Sequence, residues 1–178
     1  MSDQINPAPR RVSFWRLAPW GVSAALLCLP AIAMQFTTEV AWSPGDFVFM
    51  GIMFLAACGA WEMAWRVSGS NAYRAGVGLA VAASFLLIWV NLAVGFIGSE
   101  DNPANQMFAA VLVVAFVGAL IGNFRPRAMA RAMIGAAVVQ TLIAFIALFA
   151  GMGVIFGPTA VFVAFWSMAA WLFMKAAA

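Results

Sequence analysis

Apolar positions along this chain come in long blocks, without the alternation of a half-buried strand or the narrow stripe of a surface helix. Six blocks stand out, at about residues 17–36, 46–66, 75–98, 103–124, 132–152 and 156–174, and the tails and the short stretches between the blocks together hold most of the charged side chains. Each block is close to the roughly 20 residues that an α-helix needs to cross a hydrocarbon core of roughly 30 Å. The pattern predicts an all-α protein, a polytopic transmembrane helix bundle of six spans, with residues 1–16 and 175–178 as tails. The boundaries carry helix punctuation. Ser43 can cap a helix that Pro44 opens, and Asp46 completes a capping-box pattern. Asn102 and Pro103 repeat that arrangement before the fourth block, Arg125-Pro126-Arg127 breaks the chain after it, and Gly157-Pro158 opens the sixth. Pro30, inside the first block, leaves the Leu26 carbonyl without its N–H partner and predicts a kink. All connections are short, so successive spans run antiparallel.

Charge gives the pattern a direction. The chain has nine Lys and Arg residues and six Asp and Glu. With the N-terminus in the cytoplasm, the inner segments hold Arg10, Arg11 and Arg16, then Arg66 and Arg74, then Arg125, Arg127 and Arg131, and finally Lys175, which is every basic residue. The outer segments hold Glu39, Asp46, Glu100 and Asp101 and no basic one. Cytoplasmic loops retain Lys and Arg, so both termini are expected in the cytoplasm. Trp15, Trp20, Trp61, Trp65, Tyr73 and Trp171 fall near the inner boundary and Trp42 near the outer one, as amphipathic rings prefer, while Trp89 and Trp166 lie deeper as packing residues. A secretory signal peptide is the alternative reading of the start, with Ala31 to Ala33 as a small-residue cleavage site. The apolar run exceeds a typical signal core and continues through Gln35 and Phe36, which favours an uncleaved first span.

Composition narrows the chemistry. Hydrophobic residues make up 66% of the chain and charged ones 8%, against roughly 25% charged in soluble domains. The absence of histidine removes the commonest general base and the commonest heme and zinc ligand. Cys28 and Cys58 lie mid-way along separate apolar blocks, where a thiol acts as a small hydrophobe. No cofactor and no metal is expected, and an enzyme is disfavoured because no nucleophile or metal motif is present. The formal charge of +3 is spread over the inner segments as topology requires, which argues against nucleic acid and leaves the lipid bilayer, with its anionic headgroups, as the expected partner.

Polar side chains inside a membrane are the default functional candidates. Glu62 is the one carboxylate in the interior of a block, and Arg66 one turn later offers it an ion pair; the alternative is a proton or cation site. Asn91 shares a face with Ser84, Gly95 and Gly98, and Gln140 with Ala136, Ala137, Ala144, Ala147 and Gly151. Such small-residue faces let helices approach closely while Asn or Gln bonds across the interface, or they line a solute path. Counted from the expected inner ends, Asn91 lies roughly 24 Å up and Gln140 roughly 12 Å up, too far apart to bond directly. Gly118 and Gly122 form a GxxxG element suited to close packing within the bundle or between protomers. Glu100, Asp101 and Asn102 carry calcium-type oxygens without EF-hand spacing and read as capping and solvation.

The segment Trp89-Val90-Asn91-Leu92-Ala93-Val94-Gly95-Phe96-Ile97-Gly98-Ser99-Glu100-Asp101-Asn102-Pro103-Ala104-Asn105 resembles one recurring in uncharacterised small bacterial multi-pass inner-membrane proteins. The likeness extends through the fourth block to Arg125-Pro126-Arg127. It implies a bacterial inner-membrane location and transfers no site residue. The expected function is a non-enzymatic accessory or structural membrane component, packing among its own helices and against a second copy or another membrane protein. The alternative is a small permease or channel-like protein for a neutral or weakly polar solute, lined by Ser84, Asn91 and Gln140.

Overall fold

Helices in this chain start where the sequence supplies a cap or a proline. The computed structural model describes residues 14–178, so Arg10 and Arg11 lie outside the described residues. After α1 (Phe14–Ala33), Ser43 and Asp46 close the capping box in front of α2 (Pro44–Val67): Ser43 N donates to Asp46 Oδ2 at 2.7 Å, and Asp46 N to Ser43 Oγ at 3.3 Å. Ser70 Oγ accepts from Tyr73 N at 3.4 Å and caps α3 (Asn71–Ala93). Asn102 Oδ1 accepts from Ala104 N at 3.0 Å and caps a short 3-10 helix (Pro103–Phe108) that leads into α4 (Ala109–Ile121). Then follow α5 (Pro126–Phe149) and α6 (Phe156–Ala176). Counting the 3-10 segment with α4, six helices are long and apolar enough to cross a membrane. The chain is an all-α, multi-pass membrane protein.

Several ends depart from the apolar pattern. α1 lies ahead of the 17–36 block, so Pro30 falls in its last turn, where Met34 N reaches the Pro30 carbonyl at 2.9 Å. α3 stops at Ala93, because Gly95 (φ +74°) and Gly98 (φ +70°) turn the backbone into the left-handed region that glycine adopts without a Cβ clash. Apolarity up to Gly98 therefore reflects a buried loop, and the face shared by Asn91, Gly95 and Gly98 does not exist as a helical stripe. α5 begins earlier than residue 132, with Arg125 in the extended capping conformation and Pro126 at the first helical position. Arg127 and Arg131, expected in a loop, are helical.

The chain divides into two units within α2, after Cys58. In the first unit, Ser23 Oγ and Cys58 Sγ lie 3.4 Å apart, the Trp42 and Phe47 rings meet edge-on at 5.2 Å, and no residue of α1 is buried. In the second unit, α6 packs between α3 and α5, and α4 packs against α5. Tyr73 at the start of α3 meets Phe173 near the end of α6 at 5.3 Å, and Phe96 beyond the end of α3 meets Phe162 near the start of α6 at 5.4 Å, so these helices are antiparallel. A Cβ on Gly118 would come within 2.7 Å of Ala132 Cβ, and one on Gly135 within 3.0 Å of Val114 Cγ1, which makes α4 and α5 antiparallel too.

Lipid tails are as apolar as leucine, so helices in a membrane associate through close packing and not through the hydrophobic effect. The second unit meets that demand by pairing small with large. Buried alanines 130, 132, 136, 137, 144 and 147 line α5, while α6 contributes Phe162, Trp166 and Phe173. On α3, a Cβ added to Gly76 would meet the Phe173 ring at 3.0 Å. With α3 to α6 alternating in direction, Arg66, Arg74, Arg125, Arg127, Arg131 and Lys175 gather at one end of this unit, and Glu100 and Asp101 at the other.

Candidate functional site

The intramembrane polar groups fall into two sets. The first set is engaged locally. Glu62 Oε1 accepts from Arg66 Nε at 3.0 Å near the basic end, with Glu62 20% and Arg66 72% exposed. Ser84 Oγ donates to the Ala80 carbonyl at 2.8 Å, and Asn91 Nδ2 to the Leu87 carbonyl at 2.7 Å, each one turn back on α3. These bonds hold the side chains against their own helix. Gly118 and Gly122 face α5, where added Cβ atoms would collide with Ala132 and Ala128. The GxxxG element thus packs within the second unit.

The second set is enclosed and unpaired. Gln140 on α5 and Trp166 on α6 are 0% exposed, and Thr159 is 4% exposed. Among the described residues, Gln140 Nε2 and Oε1, Trp166 Nε1, Thr159 Oγ1 and Asn91 Oδ1 have no hydrogen-bond partner. Measured from the helix ends at Phe149 and Phe156 at 1.5 Å per residue, Gln140 and Trp166 lie at nearly one depth, about 14 and 15 Å, while Thr159 is about 5 Å in. Thr159 and Trp166, seven residues apart, share a face of α6. With α5 starting at Pro126, Gln140 sits about 21 Å from the basic end and Asn91 about 30 Å. They do not bond each other. Leaving such groups unpaired costs about 1–3 kcal/mol each by mutational experience. Sequence reasoning took Trp166 as packing alone and gave Thr159 no role; a Thr and a Trp seven apart on a helix that packs on the helix of Gln140 is a signal legible only once the helices are paired.

A cavity of about 300 Å³ lies between the last turns of α2, α3, α4 and α5. Ala64, Val77, Leu112, Ala115 and Met133 are among its walls, and its two hydroxyls, Tyr73 and Ser84, are spent on the Phe124 and Ala80 carbonyls at 2.8 Å each. It reaches neither Gln140 nor Asn91, so Ser84 and Gln140 do not line a common path through it.

Asn105 closes the end of the second unit that carries Glu100 and Asp101. It is 7% exposed, and its Oδ1 accepts from Phe96 N and Ile97 N at 3.0 and 2.9 Å while its Nδ2 donates to Ser99 O at 2.8 Å and, more weakly, to Ile97 O at 3.4 Å. Phe96 and Ile97 are thereby tucked in at 8% and 0% exposure. A Cβ on Gly95 would strike Ser99 O at 2.5 Å. The sequence showed Asn105 only as one polar residue in a polar loop. Comparison with known proteins adds no analogy: no family model, no curated protein and no solved structure matches the chain.

Proposed function

We propose that the chain is a non-enzymatic accessory or structural component of a bacterial inner membrane, with both termini in the cytoplasm, assembling with a second copy or another membrane protein. The observation behind this reading is how the intramembrane polarity is used: Ser84 and Asn91 bond backward to their own helix, Glu62 pairs with Arg66, and the cavity is walled by apolar groups. Side chains committed in this way serve packing. Orientation is supported by the gathering of Arg66, Arg74, Arg125, Arg127, Arg131 and Lys175 at one end of the second unit.

A second reading, a permease for a small neutral solute, is favoured by one observation, the unpaired and fully enclosed amide of Gln140 at the depth of the Trp166 indole N–H. Both readings meet in one experiment. Proteoliposomes holding the full chain are mixed against glycerol or urea gradients and their swelling is followed by light scattering. The packing reading predicts rates equal to those of protein-free vesicles, and Gln140→Met, which keeps volume and removes the unpaired groups, holds or raises the unfolding free energy by about 1 kcal/mol. Swelling faster than in empty vesicles and abolished by Gln140→Met overturns it in favour of the permease.

A further inference from the structure

The second unit has its acids in the wrong place for its arginines. Glu62 pairs with Arg66, and Glu100 and Asp101 stand at the opposite end. Arg74 lies over the Trp65 ring at 3.7 Å and bonds Asn71 Oδ1 at 3.3 Å. Arg125, Arg127 and Arg131 are exposed, and their guanidinium groups have no ion-pair or hydrogen-bond partner among the described residues. They flank a pocket of about 730 Å³ between the α4–α5 turn and the end of α6, floored by Gly122, Asn123 and Ala176. Arg127 and Arg131 are one turn apart on α5, an arrangement in which like charges repel unless an anion sits between them.

We infer that this pocket holds the phosphodiester headgroup of an anionic phospholipid. Topology alone asks for basic residues at this end, but it does not ask for three of them around one concavity with no carboxylate among its walls. Guanidinium forks match phosphate oxygens, and pockets of this kind on the cytoplasmic side of helix bundles suit lipid headgroups. The level fits as well: Trp171, 59% exposed at the same end of α6 with Lys175 Nζ 5.4 Å from its ring, is a side chain of the interfacial belt. The inference deepens the membrane reading and rests on this end lying at headgroup level, a premise that thiol labelling tests separately.

The test uses the purified full chain in a neutral detergent, titrated with short-chain phosphatidylglycerol, phosphatidylcholine or inorganic phosphate, with bound lipid counted by native mass spectrometry. Phosphatidylglycerol is expected to bind, and the triple variant Arg125→Gln, Arg127→Gln, Arg131→Gln to weaken it at least about tenfold, whereas the triple Lys variant, which keeps the charge and loses the forks, is weakened less than the Gln variant. Equal binding by the Gln variant overturns the site. So does equal binding of phosphatidylcholine, which would mean that charge is not read, or displacement of the lipid by inorganic phosphate at equal concentration, which would mean a free-anion site. Should the triple Gln variant fail to fold, Arg127→Gln and Arg131→Gln alone are each expected to weaken binding several-fold, and no loss in either overturns the inference.

Discussion

Asn105 shows how a single side chain can finish a fold. Its amide satisfies two backbone N–H groups and two carbonyls of a loop that has left the helix, where Phe96 and Ile97 are buried and an unpaired backbone group would be costly. Asn105→Ala is expected to lower the unfolding free energy by about 1–3 kcal/mol and to speed amide exchange at Phe96 and Ile97, both read by hydrogen-exchange mass spectrometry in detergent. Unchanged protection at those two amides would show that the loop holds without the clamp. Little of this was legible beforehand. Composition shows that Asn105 is polar and follows a helix start at Pro103, but the partners it joins, Phe96, Ile97 and Ser99, are brought to it by the turns at Gly95 and Gly98. Glu62 is the opposite case, because its partner Arg66 is one turn away along the chain and spacing alone identifies the pair. Gln140 lies between these cases: its burial follows from the alanines around it, and its lack of a partner follows from neighbouring helices that the sequence does not pair.

At the scale of elements, α4 and α5 are held by small residues on both sides. Gly118 and Gly122 on α4 meet Ala132 and Ala128 on α5, so the two backbones come close enough that no Cβ fits between them. Gly118→Ala and Gly122→Ala are each expected to destabilise by about 1–3 kcal/mol through overpacking, with Gly122 the more sensitive because its Cβ would overlap Ala128 more severely. Gly59→Ala is the control, since a Cβ there meets nothing within 4 Å and the helix gains up to about 1 kcal/mol. Thermal midpoints in detergent order the three variants, and equal midpoints for Gly122→Ala and Gly59→Ala would remove the contact from the account. Helix number and the caps at Ser43 and Asn102 could be read from apolar run length and capping residues. Helix ends could not, because an apolar loop such as Val94-Gly95-Phe96-Ile97 reads like helix until its glycines are seen at positive φ, and because Pro126 serves equally as a break and as a first helical residue.

At the scale of the molecule, the account depends on direction. The alternation of α3 to α6 puts the basic residues of the second unit at one end and Glu100 and Asp101 at the other, which is the asymmetry that a cell membrane imposes on loops left in the cytoplasm. The proposed lipid site at the arginines and the proposed outer position of the Asn105 clamp both rest on that direction. The direct measurement places single cysteines near the N-terminus, at residue 70, within residues 99–105, at residue 128, at the exposed residue 154 and near the C-terminus, in a chain with Cys28 and Cys58 replaced by alanine. Intact cells are then treated with a membrane-impermeant thiol reagent. Labelling at residues 99–105 and 154 alone is the result the account predicts, and labelling at residue 128 or near the C-terminus would contradict it.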